Sequence, residues 1–88
     1  MEHVVNIPIQ MIASCTTTGE FMPIRFRYEA ADCELVTVHI DQVLNQDGRA
    51  FGNMREMIYS CRATMFGQCR TFQVRYLIHE HRWFLYKI

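Results

Sequence analysis

The sequence predicts an all-β, mainly antiparallel fold, and three observations support that prediction. Runs rich in β-branched and aromatic side chains follow one another at 58–66, 70–78 and 82–88. Short breaks at 67–69 and 79–81 separate them, as expected of an antiparallel meander. No stretch shows a persuasive 3.6-residue apolar period, which would indicate a helix.

Composition limits the class of protein. The chain has 88 residues, of which 50% are hydrophobic and 20% charged, so we expect one globular domain, 1–88, with a modest core. Nine basic and nine acidic residues give a formal net charge of zero. This balance argues against strong non-specific attraction of the whole molecule to a polyanion, although a local basic patch could survive.

The cellular location is inferred from the start of the chain and from its cysteines. The first residues lack the basic and uninterrupted apolar stretches of a secretory signal peptide. No run approaches the roughly 18–20 apolar residues of a membrane span. We therefore expect a cytoplasmic protein without a membrane partner. Its reduced thiols would be Cys15, Cys33, Cys61 and Cys69.

Three strands are predicted in the first half of the chain, at Val4–Ala13, Phe21–Glu29 and Leu35–Leu44. In each strand apolar and polar residues alternate, as in a half-buried strand. Pro8 cannot donate a ladder hydrogen bond, so the first strand is expected to lie at a sheet edge or to be interrupted there. The residues expected to face inward are Val5, Ile7, Ile9, Met11, Ala13, Ile24, Phe26, Tyr28, Val36, Val38 and Ile40.

Residues 45–53 break the alternation and are predicted to be the longest irregular stretch. Gly48 and Gly52 would let this segment bend, and one helical turn around Asp41 to Leu44 is conceivable.

The meander supplies most of the predicted core. Its first two strands should turn these residues inward: Met57, Tyr59, Cys61, Ala63, Met65, Phe72, Val74, Tyr76 and Ile78. The last strand is apolar on both faces, with Trp83 and Leu85 on one and Phe84, Tyr86 and Ile88 on the other. Such a strand is usually buried on both faces or lies at an interface. A small domain with one apolar sheet face must curl, so we expect a five- to six-stranded SH3-like or Sm-like barrel or a strongly curved meander sheet.

Metal binding is considered because four histidines accompany the four cysteines, and His79 and His81 lie on one side of a predicted strand end. A structural zinc site usually contains a Cys-x2–4-Cys pair, but the nearest cysteines here are Cys61 and Cys69. Cys61 falls on an inward face, where an inert buried thiol is usual. We expect neither a metal nor another cofactor.

Catalysis is not expected either. Cys33 and Cys69 fall in predicted turns, but a reactive cysteine needs a base within hydrogen-bond reach and an oxyanion site. The sequence pattern indicates neither of these. It also contains no nucleophile elbow, phosphate-binding loop or dinucleotide fingerprint. The sequence therefore predicts a non-catalytic protein.

One candidate binding surface is an arginine-bearing sheet face. If the relevant strands are neighbours, it consists of Arg25, Arg27, Arg62, Arg75, Gln73, Thr37 and His39. Small barrels bind single-stranded nucleic acid on such faces, with arginines on phosphates and aromatic rings on bases. The competing interpretation is a solvated face on which Glu29, Asp41 and Glu56 form cross-strand ion pairs, each worth a few tenths of a kcal/mol. The neutral overall charge favours the solvated face.

The other candidate is an apolar surface. Four residues exceed what one inward face needs: Leu77, Trp83, Phe84 and the loop residue Phe51. They either close the barrel ends or form a surface for self-association or for binding another protein, and an unprotected edge strand invites the same association. The leading hypothesis is thus a non-catalytic module that binds a protein chain, foremost a second copy of itself. The alternative is nucleic-acid or anionic-ligand binding through the arginine face.

Two segments resemble a known family. Residues 21–28, followed by a turn and by 36–40, resemble the opening hairpin of WYL-type bacterial regulatory domains, and Trp83-Phe-Leu85 is similar to their Trp-Tyr-Leu signature. The order of motifs differs, because Arg70-Thr-Phe72 precedes the tryptophan here instead of following it. The resemblance implies a small bacterial barrel and assigns no functional residue.

Overall fold

A computed structural model describes residues 3–88, which form one antiparallel sheet of seven strands in the order β3-β2-β1-β7-β6-β5-β4. The strands are β1 Val4–Cys15, β2 Phe21–Glu29, β3 Leu35–His39, β4 Gln42–Phe51, β5 Met54–Met65, β6 Gln68–Leu77 and β7 Arg82–Lys87. The predicted all-β antiparallel class is confirmed, with seven strands instead of five or six. Residues 3–88 contain no helix, so this part of the chain offers no helical segment of the length and apolarity needed to cross a membrane.

The sheet curls into a half-barrel because its two outermost strands, β3 and β4, are joined by only two residues, Ile40 and Asp41. The Ile40 amide donates to the Ile24 carbonyl at 2.9 Å, and the Asp41 amide donates to the Arg62 carbonyl at 2.9 Å. The Asp41 carboxylate then accepts a 3.1 Å hydrogen bond from the Thr64 amide. The first bond ties the corner between β3 and β4 to β2, and the other two hold it against β5.

β1 is shared between two neighbours. Its first half pairs with β7, as in Ile9 opposite Trp83, and its second half pairs with β2 from Gln10 onward. Pro8 lies opposite Phe84 of β7 and precedes the first residue paired with β2. β1 is therefore a central strand that runs without a break through Pro8, so neither the expected edge position nor the expected interruption is found, and Pro8 lies in the half of the strand that pairs with β7 alone.

The core lies inside the curl and is built by the alternation that the sequence predicts. Its buried members are Phe26, Val38, Tyr59, Cys61, Ala63, Met65, Phe72, Val74, Tyr76 and Leu85. Val5 and Ile24 are exceptions to the predicted pattern, since both are exposed. The register passes from Ile12 opposite Arg25 to Ala13 opposite Pro23, which makes Ile24 the extra residue of a β-bulge and turns Pro23 inward.

The predicted irregular stretch at 45–53 is wrong, as is the helical turn around Asp41 to Leu44. β4 runs from Gln42 to Phe51 and pairs with β5 up to a two-residue turn, Gly52-Asn53. Gly52 has a φ of +56°, in the region that favours glycine. The strand forms through its main-chain ladder with β5, although beyond Val43 its side chains are exposed on both faces. The predicted strand 35–44 is accordingly divided into β3 and the start of β4.

Candidate functional site

Arg25 and Arg27 lie together on β2, as the sequence predicts. Arg25 is opposite His39 of β3 and Arg27 is opposite Thr37, and all four side chains are exposed. A concavity of about 400 Å³ adjoins them, lined by Gln10, Met11, Ile12, Arg25, Phe26, Arg27 and Thr37. Within residues 3–88 neither arginine has a carboxylate partner within ion-pair distance. Two of the four arginines of the predicted face, Arg25 and Arg27, thus form a basic patch without carboxylate partners among the described residues.

Arg75 belongs to a different surface. It lies on β6 between Ile58 of β5 and Phe84 of β7. Its guanidinium carbon is 5.1 Å from the centre of the Phe84 ring, and its Nε is 3.6 Å from the Glu56 carboxylate. That Nε is buried and makes no hydrogen bond, so the attraction to Glu56 is coulombic. For this arginine the structure supports the cross-strand ion pair and not a free cation.

Arg62 and Gln73, the other predicted members of the face, lie on β5 and β6. Arg62 is exposed opposite Thr71, and its carbonyl accepts the Asp41 amide at the barrel corner. Gln73 donates its side-chain amide to the Ser60 hydroxyl at 3.3 Å. Their strands are not hydrogen-bonded to β2, so the predicted face is not one continuous ladder.

Most of the predicted apolar surface is buried within the chain itself. Leu77 and Phe84 are buried, and the Arg75 and Arg82 guanidinium groups each lie 5.1 Å from the Phe84 ring centre. Trp83 faces the core, where its ring stacks on Tyr76 with centroids 4.6 Å apart. Of the two interpretations that the sequence leaves open, packing within the chain is the one that the burial of Leu77, Trp83 and Phe84 favours. Phe51, at 63% exposure, is the one of the four that is open to solvent.

The free edge of β4 is a feature that the sequence pattern missed. In residues 3–88, β4 ends the strand order, so its outer main-chain edge pairs with no described strand over ten residues. β3, at the other end, is five residues long and lies close to β5. Asp47 and Arg49 project from β4 on one side, with Asp47 Oδ2 3.6 Å from Arg49 Nε. Apolar and polar residues do not alternate in this segment, so the strand could not be recognised from the sequence.

A second missed feature is a pocket at the end of the half-barrel, called here the end pocket. It has a volume of about 400 Å³ and is lined by Gly19, Glu20, Phe21, Gln46, Met57, Tyr59, Tyr76, Ile78 and His81. The Tyr59 hydroxyl donates to the Phe21 carbonyl at 2.8 Å, and the Tyr76 hydroxyl lies 3.2 Å from His81 Nδ1. Four separate segments of the chain contribute to it, at 19–21, 46, 57–59 and 76–81. The alternation of apolar and polar residues within one segment cannot predict a site of this kind.

The titration of two buried groups reflects this packing. Burial raises the pKa of the Cys61 thiol from 9.0 to about 12, which marks an unreactive thiol. Burial also raises the pKa of Tyr59, and the nearby Glu20 carboxylate adds to the shift. Glu20 and Tyr59 both line the end pocket, and the charge of the Glu20 carboxylate therefore acts within it.

Comparison with known proteins adds no functional assignment. No protein-family model, curated protein or solved structure matches the chain. The likeness of residues 83–85 to the WYL signature thus has no matching family model behind it. Among the residues that the structure describes, no three His, Cys, Asp or Glu side chains converge as a metal site would require.

Proposed function

We propose that this protein is a non-catalytic interaction module that binds a second copy of itself by pairing the two β4 edges. The observation that carries the proposal is the ten-residue main-chain edge of β4, which no described strand covers. An open edge presents unpaired amide and carbonyl groups and is a template for strand addition. β4 carries neither proline nor lysine, two residues that commonly protect such edges.

Hydrogen-bond geometry limits how two β4 strands can pair. The two-residue turn makes Phe51 and Met54 a hydrogen-bonded pair, and such pairs then alternate along the hairpin. The amide and carbonyl groups of Gln46, Gly48 and Ala50 accordingly point away from β5. When two β4 strands pair antiparallel, the outward-pointing residues of one copy must lie opposite the outward-pointing residues of the other. The two-fold axis that relates the copies therefore passes through a residue and not between two residues.

Charge then selects among the registers that this geometry allows. An axis through Gly48 sets each Asp47 opposite the Arg49 of the other copy, which gives two attractive cross-strand pairs. An axis through Asp47 or through Arg49 sets like charges opposite each other. Glycine at the axis also permits close approach of two backbones. In this register Phe51 lies opposite Asn45 of the second copy, which covers part of its exposed ring.

Charge variants test both the association and its register by size-exclusion chromatography with light scattering. We expect the wild-type protein to have twice the 10.5 kDa chain mass. Asp47→Lys alone and Arg49→Glu alone should each weaken the dimer roughly tenfold, because each sets like charges opposite each other. An equimolar mixture of the two variants should restore the doubled mass, since both cross-strand pairs become attractive again.

The control variant is Arg55→Glu, an exposed charge change on the same hairpin but on β5. It should leave the mass unchanged. A wild-type mass of 10.5 kDa at every concentration would refute self-association. A dimer that is indifferent to all of these charge changes would refute the β4 register.

A second candidate function is supported by the unpaired patch of Arg25 and Arg27 with the adjoining concavity. We propose it as a site for an anionic ligand such as single-stranded nucleic acid, bound through phosphate contacts. Binding of a random single-stranded oligonucleotide should weaken as salt rises and should be lost in Arg25→Glu/Arg27→Glu. Arg70→Glu, another exposed arginine, is the matched control. Absence of binding at low salt, or binding unaffected by the double reversal, would exclude this candidate.

A further inference from the structure

The end pocket shares Gln46 with β4 but no residue with the arginine patch, and its lining has a distinct chemical character. Phe21, Met57 and Ile78 give it apolar walls, and the Tyr59 and Tyr76 rings form its floor. Its volume of about 400 Å³ lies at the lower end of the range for small-molecule sites. The aromatic floor is backed by Trp83, which stacks on both tyrosines at centroid distances of 4.6 and 5.6 Å.

The lining of the pocket contains one acidic side chain. Among its described residues, Glu20 is the one carboxylate, and no lysine or arginine is present. Within residues 3–88, Glu20 has no cationic partner within ion-pair distance. Its carboxylate is therefore free to attract a cation.

The turn that carries Glu20 is fixed by its own hydrogen bonds. The Thr16 amide donates to the Glu20 carbonyl at 2.8 Å, and the Glu20 amide donates to the Thr16 hydroxyl at 3.0 Å. The Gly19 amide donates to the Thr16 carbonyl at 3.0 Å, with Gly19 at a φ of +87°. The main chain at Glu20 is thus held beside the pocket before any ligand arrives.

The polar groups of the floor are already engaged. The Tyr59 hydroxyl is bound to the Phe21 carbonyl, and the Tyr76 hydroxyl is bound to His81. His81 holds this position with a φ of +54°, an uncommon backbone conformation for a residue other than glycine. The pocket consequently presents mainly aromatic and apolar surface and one carboxylate, and Gln46 and His81 are its other polar side chains.

We propose that the end pocket binds a small organic cation, an alkylammonium group on a short apolar body, between the Phe21 ring and the Glu20 carboxylate. Aromatic faces attract ammonium groups through the ring quadrupole, and this attraction strengthens where water is partly excluded. The carboxylate supplies the compensating charge. The apolar part of the ligand packs on Met57 and Ile78.

The test compares choline with its neutral isostere, 3,3-dimethyl-1-butanol, because the two have nearly the same shape and differ in charge. Each is titrated to about 50 mM, since ligands of this size bind weakly. Binding is followed by amide NMR shifts and by the fluorescence of Trp83, the single tryptophan. We expect choline to bind roughly 3- to 30-fold more tightly than the isostere, with shifts centred on Glu20, Phe21 and Tyr76.

Glu20→Gln should remove most of this preference for choline, while Glu34→Gln, which makes the same charge change in the β2–β3 turn, should leave it intact. Sodium chloride at the same ionic strength controls for screening. Equal affinity for choline and the isostere would overturn the proposal, as would the absence of shifts at the highest concentration. A preference that survives Glu20→Gln would also overturn it, because the site would then not depend on this carboxylate.

Discussion

β5 pairs along most of its length with two neighbours, β6 and β4, and the two pairings bury very different amounts of side chain. On the β6 side, Cys61 lies opposite Phe72 and Tyr59 opposite Val74, and all four are buried. On the β4 side, the ladder from Asn45 to Phe51 leaves every β4 side chain exposed. The comparison shows that main-chain pairing is sufficient to extend a sheet, whereas side-chain packing determines where its stability resides.

The largest expected effect comes from replacing a leucine by alanine in the buried meander of β5 to β7 and comparing the result with the same replacement in exposed β4. Leu85→Ala in β7 removes a side chain that is 2% exposed and should lower the free energy of unfolding by about 3 kcal/mol. Leu44→Ala in β4, where the leucine is 42% exposed, should cost less than about 1 kcal/mol. Urea unfolding followed by circular dichroism measures both. Equal losses would contradict the contrast between the meander and β4.

The ion pair of Glu56 and Arg75 should give the next largest effect. Glu56→Gln leaves the Arg75 charge half-buried without its partner and should cost about 2 kcal/mol. Arg75→Met/Glu56→Gln should recover part of this loss, since the unpaired charge is removed. Glu34→Gln is the control, because this exposed carboxylate has no ion-pair partner among residues 3–88 and its loss should cost little. Equal costs for the two acidic substitutions would contradict the interpretation.

Alkaline pH should act through Cys61, which lies between Val43 of β4 and Phe72 of β6. The unfolded chain ionises this thiol above pH 9.0, while the folded chain retains its proton up to about 12. The stability due to the protonated thiol is thus fully present below pH 9 and is lost as the pH rises toward 12. At pH 10 this loss is about 1.4 kcal/mol.

Cys61→Ala should remove this part of the loss of stability between pH 8 and pH 10. Val74→Ala, a neighbouring core substitution without a titrating group, should not remove it. The difference is read from urea unfolding curves at the two pH values. If Cys61→Ala and the wild type lose equal stability over this interval, the thiol is not the titrating group.

The smallest expected effect comes from the backbone strain at Phe66, in the turn between β5 and β6. The β5–β6 turn places Phe66 at a φ of +52°, although its side chain is 78% exposed. Phe66→Asn should raise stability by about 0.5–1 kcal/mol, because asparagine tolerates the left-handed conformation. Phe66→Ala keeps the strain and should give no such gain. A loss of stability in Phe66→Asn would instead indicate that the exposed ring makes a stabilising contact.

The sequence predicts the meander well because alternation and burial coincide there. Tyr59, Cys61 and Ala63 alternate with polar residues and are buried as expected. β4 could not be recognised, because its main-chain hydrogen bonds to β5 place no demand on its side chains, which therefore show no apolar pattern. Ile24 was misplaced since a bulge changes the register without any mark in the composition.

The candidate sites were predictable to different degrees. Arg25 and Arg27 lie together because both are on β2, and the sequence places them beside Thr37 and His39 because β2 and β3 are consecutive strands. Arg75 was separated from them because β6 lies three strands away from β2 in the sheet. The end pocket brings Glu20 beside Tyr59, and such proximity depends on how the whole sheet curls.

The pairing of β1 with β7 has a consequence for how the chain folds. Every other hydrogen-bonded strand pair joins consecutive strands, whereas this seam joins Ile7 to Leu85. Consecutive hairpins can form locally, but closing a loop of nearly the whole chain costs more entropy. We expect closure of the seam to limit the folding rate, so that Ile9→Val slows refolding in stopped-flow experiments. If that variant changed only the unfolding rate, the seam would form after the rate-limiting step.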